Sequence, residues 1–188
     1  METNTLQRII EFADLAHGDQ LRKFTGERYI VHPVRVMETC RQYSNDPAVL
    51  TAALLHDVLE DTSVSRDDMS AFLYTLLSAD IANEAVALVV ELTDIFTRKN
   101  YPRMNRRQRR QHEFERLARA SSKAQTIKYA DLIDNCLDIV QNDPDFARVF
   151  LGESGKLLSM MNRGDHGLRA LADETIRAGR ALLKKRPV

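Results

Sequence analysis

The run Leu54-Leu55-His56-Asp57-Val58-Leu59-Glu60-Asp61-Thr62 puts one imidazole and three carboxylates within six residues, directly after an apolar helix. Helical spacing pairs His56 with Glu60 and Asp57 with Asp61, one turn apart on adjoining faces. Two carboxylates about 4 Å apart at an effective dielectric near 20 repel by about 4 kcal/mol. Acids gathered beside a histidine at the end of a buried helix are therefore costly unless a cation joins them. The alternative is a frayed helix end with its acids in water.

A second stretch, Lys128-Tyr129-Ala130-Asp131-Leu132-Ile133-Asp134-Asn135, sets Asp131 and Asn135 on one face of an otherwise apolar helical period. A carboxylate on such a face needs a partner. A third piece is Tyr29-Ile30-Val31-His32-Pro33, where His32 stands immediately before an expected helix as a cap, a core residue or a ligand. Together His32, His56, Asp57 and Asp131 offer two nitrogens and two carboxylates. Such a mixed set suits Mn²⁺, Fe²⁺ or Zn²⁺ in an open site better than a closed structural zinc. Lys128, three residues before Asp131 and so close to its helical face, is a candidate to dock phosphate charge.

Residues 98–110 (R-K-N-Y-P-R-M-N-R-R-Q-R-R) hold seven cations and no acid. Such a run is either a solvated helix face or a loop and helix start that draws in a phosphorylated nucleotide. Nucleic-acid binding fits it less well, because only Tyr101 offers a stacking platform.

These residues must be positioned by helices. The 188 residues suit one domain with a sizeable core, and 44% apolar with 29% charged residues excludes wholesale disorder. The charges balance, 27 against 27, which argues against a surface built throughout for nucleic acid or anionic lipid. Leu6, Ile9, Ile10, Ala13 and Ala16 follow helical spacing that ends near His17-Gly18. Pro33 and Pro47 fit first turns of new helices. Ser65 with Asp68 forms a capping pair, and Asp80 is expected to cap a helix running toward Phe96. Asn105 starts another toward Ala120, and further helices are expected over 122–140, 145–162 and 166–185. A short hairpin around Gly26, within 24–30, is the one non-helical feature expected. The prediction is a single all-α domain over 1–188, with a motif-bearing core at about 6–140 and a helical tail at about 141–188.

No secretory signal precedes Arg8, and the apolar stretches 49–55 and 85–92 are too short to span a bilayer. Cys40 and Cys136 have no partner at metal-finger spacing and are expected as reduced packing residues, so a cytoplasmic location is expected.

Four strings carry a resemblance: A-H-G-D-Q-L-R-K-F-T-G-E-R-Y-I-V-H-P (16–33), A-L-L-H-D-V-L-E-D-T (53–62), E-L-T-D (91–94) and K-Y-A-D-L-I-D-N (128–135). In this order they resemble the HD-domain metal-dependent phosphohydrolases, specifically the hydrolase domain of RelA/SpoT homologues in its stand-alone small alarmone hydrolase form. The resemblance implies an HD-domain helical bundle with one bound divalent ion, Mn²⁺. The implied reaction removes the 3′-pyrophosphate of ppGpp or pppGpp. Carried over by position, it implies His32, His56, Asp57 and Asp131 as metal ligands and Glu60 and Asp61 as the catalytic acidic pair. Arg22 and Lys23 match basic residues beside the base and phosphates, and Tyr29 and Asn135 match pocket positions. The implied partner is a small-molecule nucleotide, with no nucleic acid and no membrane; a homo-oligomer is left open.

The sequence departs from the family pattern at Arg28, where proline is common, and at Asp134, where a bulkier residue is common. Asp138 is expected to reach the base edge, so ppApp and pppApp stay among the expected substrates. The rival readings are an HD-type nucleotidase or 3′-phosphatase acting on another phosphorylated nucleotide, and a module that binds alarmone or nucleic acid without turnover.

Overall fold

The computed structural model describes residues 3–185; Pro187 lies outside them. Among the described residues the chain is all-α. The helices are α1 (Thr3–His17), α2 (Val31–Arg41), α3 (Pro47–Leu55), α4 (Val58–Asp61), α5 (Arg66–Tyr74), α6 (Ala79–Leu92), α7 (Arg106–Leu117), α8 (Ser122–Asn142), α9 (Pro144–Met160) and α10 (His166–Lys185). None is long and apolar enough to cross a membrane.

Local chemistry sets most of these boundaries. Asp46 caps α3 by accepting the Ala48 N–H, with Pro47 in the first turn. Ser65 with Asp68, and Asn105 with Gln108, close reciprocal capping boxes on α5 and α7. Gly18, at φ +55°, ends α1 in the left-handed conformation that costs other residues strain.

Two expectations need correction. Ser78, not Asp80, is the N-cap of α6; Asp80 stands inside the first turn, where a carboxylate favours the helix dipole. That helix ends at Leu92, because Thr93 is extended and turns its hydroxyl back to the Val89 carbonyl. The expected hairpin is a single antiparallel bridge, Leu21 to Arg28, around a turn with Gly26 at φ +69°. Its pairing starts earlier than 24–30, with Arg22 N–H donating to Glu27 O and Tyr29 N–H to Gln20 O.

The core is organised around α3 and α8. From Ala48 to Leu55 every residue of α3 is buried, as expected of a helix apolar on all sides. It packs against α1, α2 and α6, while α8 meets α2, α3 and α6 on one side and α9 and α10 on the other. Each large side chain in this centre, such as Leu54, Ile127 or Leu151, contributes about 1.5–3 kcal/mol by leaving water. The two most buried helices thus carry His56 and Asp131, so the chemistry-bearing groups are held by the most tightly packed part of the chain.

Candidate active site

His56 is the C-cap of α3 and Asp57 the N-cap of α4, so the helix breaks between Leu55 and Val58. This break, rather than one continuous helical face, orients the acids. Helical spacing set Glu60 against His56 and Asp61 against Asp57, but their hydrogen-bond partners are elsewhere. Glu60 Oε2 accepts the Asp94 N–H at 3.0 Å, and Asp61 Oδ2 accepts from the Gln20 amide at 3.3 Å.

His32, in the first turn of α2, is buried and meets the same centre. Its Nε2 lies 3.2 Å from Asp131 Oδ1 and 3.5 Å from Asp57 Oδ2. The His56 Nδ1–H donates to the Ala53 carbonyl at 2.8 Å, which leaves Nε2 facing Asp57 Oδ2 at 3.1 Å and Asp131 Oδ1 at 3.7 Å. That Nε2 is buried and makes no hydrogen bond, despite the short approach to Asp57. Ligand atoms of His32, His56 and Asp57 all lie within 4.8 Å of one another, and Asp131 closes the group. A buried nitrogen without a hydrogen-bond partner, facing two carboxylates, fits a divalent cation.

Electrostatics agrees with that donor set. Burial alone would lower His56, yet Asp57 and Asp131 outweigh it and push it up to about 10. Burial likewise opposes ionisation of Asp57 and Asp131. His56 and His32 beside Asp57, and Lys128 with both imidazoles beside Asp131, hold the two carboxyls below the usual carboxylate range. The cluster therefore holds positive charge tightly between ionised acids.

Around this floor opens a cleft of about 240 Å³. Of the residues anticipated from sequence, Tyr29, Asp57, Glu60, Asp61, Lys128, Asp131 and Asn135 line it. Tyr29 donates its hydroxyl to Asp57 Oδ2 at 2.7 Å, and its ring packs on His17 with centroids 4.4 Å apart. Its hydroxyl is held protonated, first by burial and then by Asp57. The Asn135 amide donates to Asp131 Oδ1 at 2.6 Å. Lys128 Nζ lies 2.7 Å from Asp131 Oδ2. Burial alone would lower the Lys128 ammonium, and Asp131 with Asp94 raise it instead. Glu60 reaches solvent in the cleft, and its carboxyl is pushed up to about 7 by the surrounding wall and then by Asp94.

His32 and His56, buried against Asp57 and Asp131, stand outside that lining, and so do Arg22 and Lys23. Arg22 is buried against α8, 2.7 Å from Asp138 Oδ2 and 3.2 Å from Asn135 Oδ1. Asp138 is thereby paired with an arginine in the protein. Lys23 is exposed, its ammonium 4.7 Å from the Phe24 ring and 5.6 Å from that of Phe146. His17 ends α1, with Nδ1 2.9 Å from Gln20 Oε1.

Several lining residues had no role assigned from sequence: Asp94, Arg110, Glu113 and Glu153. Asp94 closed the string E-L-T-D without a stated use, and Arg110 closed the basic run, which was read only as a whole, as a solvated face or a segment drawing in a phosphorylated nucleotide. Arg110 lies 3.5 Å from Asp94 Oδ2 and 3.7 Å from Glu153 Oε2, and Arg106 pairs with the same Glu153. The basic run is thus split. Arg110 reaches the cleft, while Arg98, Lys99, Arg103 and Arg107 are exposed.

A family model described as an HD domain matches residues 10–151. The guanosine-3′,5′-bis(diphosphate) 3′-pyrophosphohydrolase MESH1 of Drosophila melanogaster is 33% identical over 141 residues, 72% of this chain and 69% of that protein. A protein with the same enzyme name from Aquifex aeolicus is 45% identical over 64 residues, 34% of this chain and 9% of that one. Its counterpart from Spiroplasma citri is 30% identical over 157 residues, 82% of this chain and 19% of that one. The chain thus spans about two thirds of the fly protein and a fifth or less of these bacterial relatives. Among solved structures, a metazoan SpoT orthologue described as hydrolysing ppGpp has a TM-score of 0.79 at 26% identity, covering 97% of this chain and 98% of that one. A Listeria monocytogenes protein shares the fold, with a TM-score of 0.63 at 23% identity over 87% of this chain and 100% of that one.

Proposed function

The chain belongs to the HD-domain family, and on that premise we propose that it is a Mn²⁺-dependent 3′-pyrophosphohydrolase of alarmone nucleotides. The observation that carries the reading is the cluster of His32, His56, Asp57 and Asp131, in which Asp57 and Asp131 line the cleft and the two histidines are buried against them, with His56 Nε2 without a hydrogen bond. Those four residues would hold the ion. When bound, a divalent ion supplies Lewis-acid polarisation of a phosphoryl oxygen and acidifies water toward neutrality.

The remaining work falls to side chains of the cleft. Glu60, with its carboxyl near 7, takes the proton of the attacking water, and Asp61, steadied by Gln20, orients that water. Attack at the phosphorus joined to the 3′-oxygen forms one P–O bond and breaks another, releasing pyrophosphate. The departing 3′-oxygen takes up a proton, which leaves GDP or GTP. Lys128 and Arg110 place positive charge where the pyrophosphate gathers its negative charge. Tyr29 and Asn135 hold Asp57 and Asp131 in place from the two sides. The core and its helical tail act as one domain in this reading, because α8 packs on both α9 and α10.

Adenosine alarmones belong among the proposed substrates. Arg22, which the resemblance set beside the base and phosphates, is turned into α8 by Asp138, which supports a base preference not restricted to guanine. Buried, reduced Cys40 and Cys136, both pushed up to about 12 by burial, support a cytoplasmic setting. The test is incubation of the purified protein and Mn²⁺ with ppGpp, pppGpp, ppApp and simple 3′-phosphonucleotides. Pyrophosphate from the alarmones is the expected product. Orthophosphate instead would assign a 3′-phosphatase, and no turnover of any compound would overturn the enzymatic reading.

A further inference from the structure

Asp131 and Asp134 lie three residues apart on α8, close to one helical face, and approach opposite edges of the same imidazole. Asp131 Oδ1 is 3.2 Å from His32 Nε2, and Asp134 Oδ2 is 2.6 Å from His32 Nδ1. His56 is held differently, by the neutral Ala53 carbonyl at its Nδ1. The two histidines of the centre are therefore supported by acceptors of different strength. A carboxylate makes the stronger, charge-assisted bond.

Asp134 is itself buried, and a buried carboxylate needs compensation. Arg22, also buried, supplies it, with Nη2 3.6 Å from Asp134 Oδ2 and 2.7 Å from Asp138 Oδ2. The loop that delivers Arg22 is fixed by its own backbone, through the Arg22 N–H to Glu27 O bond and the Leu21–Arg28 bridge. A continuous path, Arg22 to Asp134 to His32, thus ties the loop before α2 to the histidine–carboxylate cluster.

We propose that Asp134 is a positioning residue for His32, and that Arg22 acts through Asp134 rather than on the nucleotide. The proposal rests on the reading of His32 as a metal ligand. A carboxylate that accepts the Nδ1–H fixes the tautomer with its lone pair on Nε2, orients the ring and raises its basicity as a donor. Loss of such an outer partner weakens metal binding by about 10- to 100-fold.

Calorimetric titration of Mn²⁺ into the full chain, stripped of metal beforehand, tests this without reference to turnover. His32→Ala is expected to lose measurable binding, and Asp134→Ala to bind about 10- to 100-fold more weakly with its helical circular dichroism intact. Asp134→Asn keeps the shape with only a neutral acceptor, so a loss of about 3- to 10-fold is expected. Arg22→Ala should weaken Mn²⁺ binding as well, and adding it to Asp134→Ala should cost little more. If His32→Ala binds Mn²⁺ as the unaltered chain does, the underlying metal reading fails. If His32→Ala loses binding while Asp134→Ala retains it, the positioning role alone is wrong. Where Asp134→Ala does not fold, unchanged affinity in Asp134→Asn overturns the role by itself. An Arg22→Ala variant with raised KM and unaltered Mn²⁺ affinity would return Arg22 to the nucleotide.

Discussion

Lys128 Nζ lies 2.7 Å from Asp131 Oδ2, one helical turn apart on α8, while the other oxygen of that carboxylate faces His32 Nε2 at 3.2 Å. One carboxylate therefore bridges a fixed cation and the histidine pair. Lys128 neutralises Asp131 on one side and presents its charge to the cleft on the other.

Lys128→Met should therefore act twice. Removal of a cationic donor aimed at developing phosphate charge is expected to lower kcat by about 10²-fold or more. The buried Asp131 carboxylate, left with less compensation, is expected to cost about 3 kcal/mol of stability. Steady-state kinetics and a denaturant melt on the same preparation separate the two. A variant with unchanged kcat would remove Lys128 from the phosphate-binding role.

Glu60 reaches the cleft, where its carboxylate accepts the Asp94 N–H at 3.0 Å. Glu60→Gln keeps that acceptor and removes the proton-accepting charge. It is expected to lower kcat by about 10²- to 10⁴-fold. Mn²⁺ affinity, read by calorimetry, should change by less than about 3-fold, because Glu60 lies outside the His32, His56 and Asp57 group. Near-normal turnover would transfer the base role to Asp61.

Acid stability is expected to depend on Asp46. Burial alone would raise its carboxyl, but the hydrogen bond from Lys123, at 2.6 Å, and the Ala48 N–H outweigh burial and hold it below 3.8. A folded-state value below the unfolded one means that the unfolded chain takes up the proton first as pH falls. The stabilisation is therefore full above pH 4 and drains away as pH drops through the folded-state value. Asp46→Asn can still cap α3 but loses the ion pair. With both partners partly exposed, the expected cost at pH 7 is about 0.5 kcal/mol, and it should shrink as pH falls from the unfolded value through the lower folded-state one. Urea melts across that range check it; a cost that grows as pH falls would contradict the assignment.

Local chemistry made much of the fold legible. Pro47, the Ser65–Asp68 box and Asn105 each satisfy orphan helix-end groups from within a few residues, so they can be read without tertiary information. Asp80 misled because a carboxylate favours both the cap and the first turn, and only the extended backbone at Ser78 tells the two apart. In the site, residue types pointed to His32, His56, Asp57 and Asp131, which the fold brings together, but periodicity could not show that α3 breaks at His56-Asp57. Asp134 was illegible as a partner for a similar reason. Its contact with His32 spans 102 positions, and an aspartate in its place along the helix looks the same whether it meets water or a buried imidazole. Sequence alone likewise does not show the two aspartates packed against Arg22.

The connection between α9 and α10 crosses α8 at Gly164, and that crossing supports the helix that carries Lys128, Asp131 and Asp134. A Cβ at Gly164 would stand 2.5 Å from Tyr129 Cε2 and 2.8 Å from the Thr126 backbone nitrogen. The aromatic ring is buried and the second neighbour is main chain, so neither gives way cheaply. Flanking bonds fix the crossing further, from the Arg163 N–H to Gln125 Oε1 at 2.8 Å and from the Asp165 N–H to Thr126 Oγ1 at 2.9 Å. Gly164→Ala must push the loop off α8 or shift Tyr129, and overpacking of this kind costs about 1–3 kcal/mol. For a chain of this size that lowers Tm by roughly 2–12 °C. Gly152 provides the control, since a Cβ there meets nothing within 4 Å and the position lies inside α9. Gly152→Ala is expected to raise stability by about 0.5–1 kcal/mol through helix propensity. Opposite signs for the two alanines, measured in parallel thermal melts, assign the Gly164 effect to close approach. Equal and small shifts would mean that the crossing carries no packing constraint and does not brace the site helix.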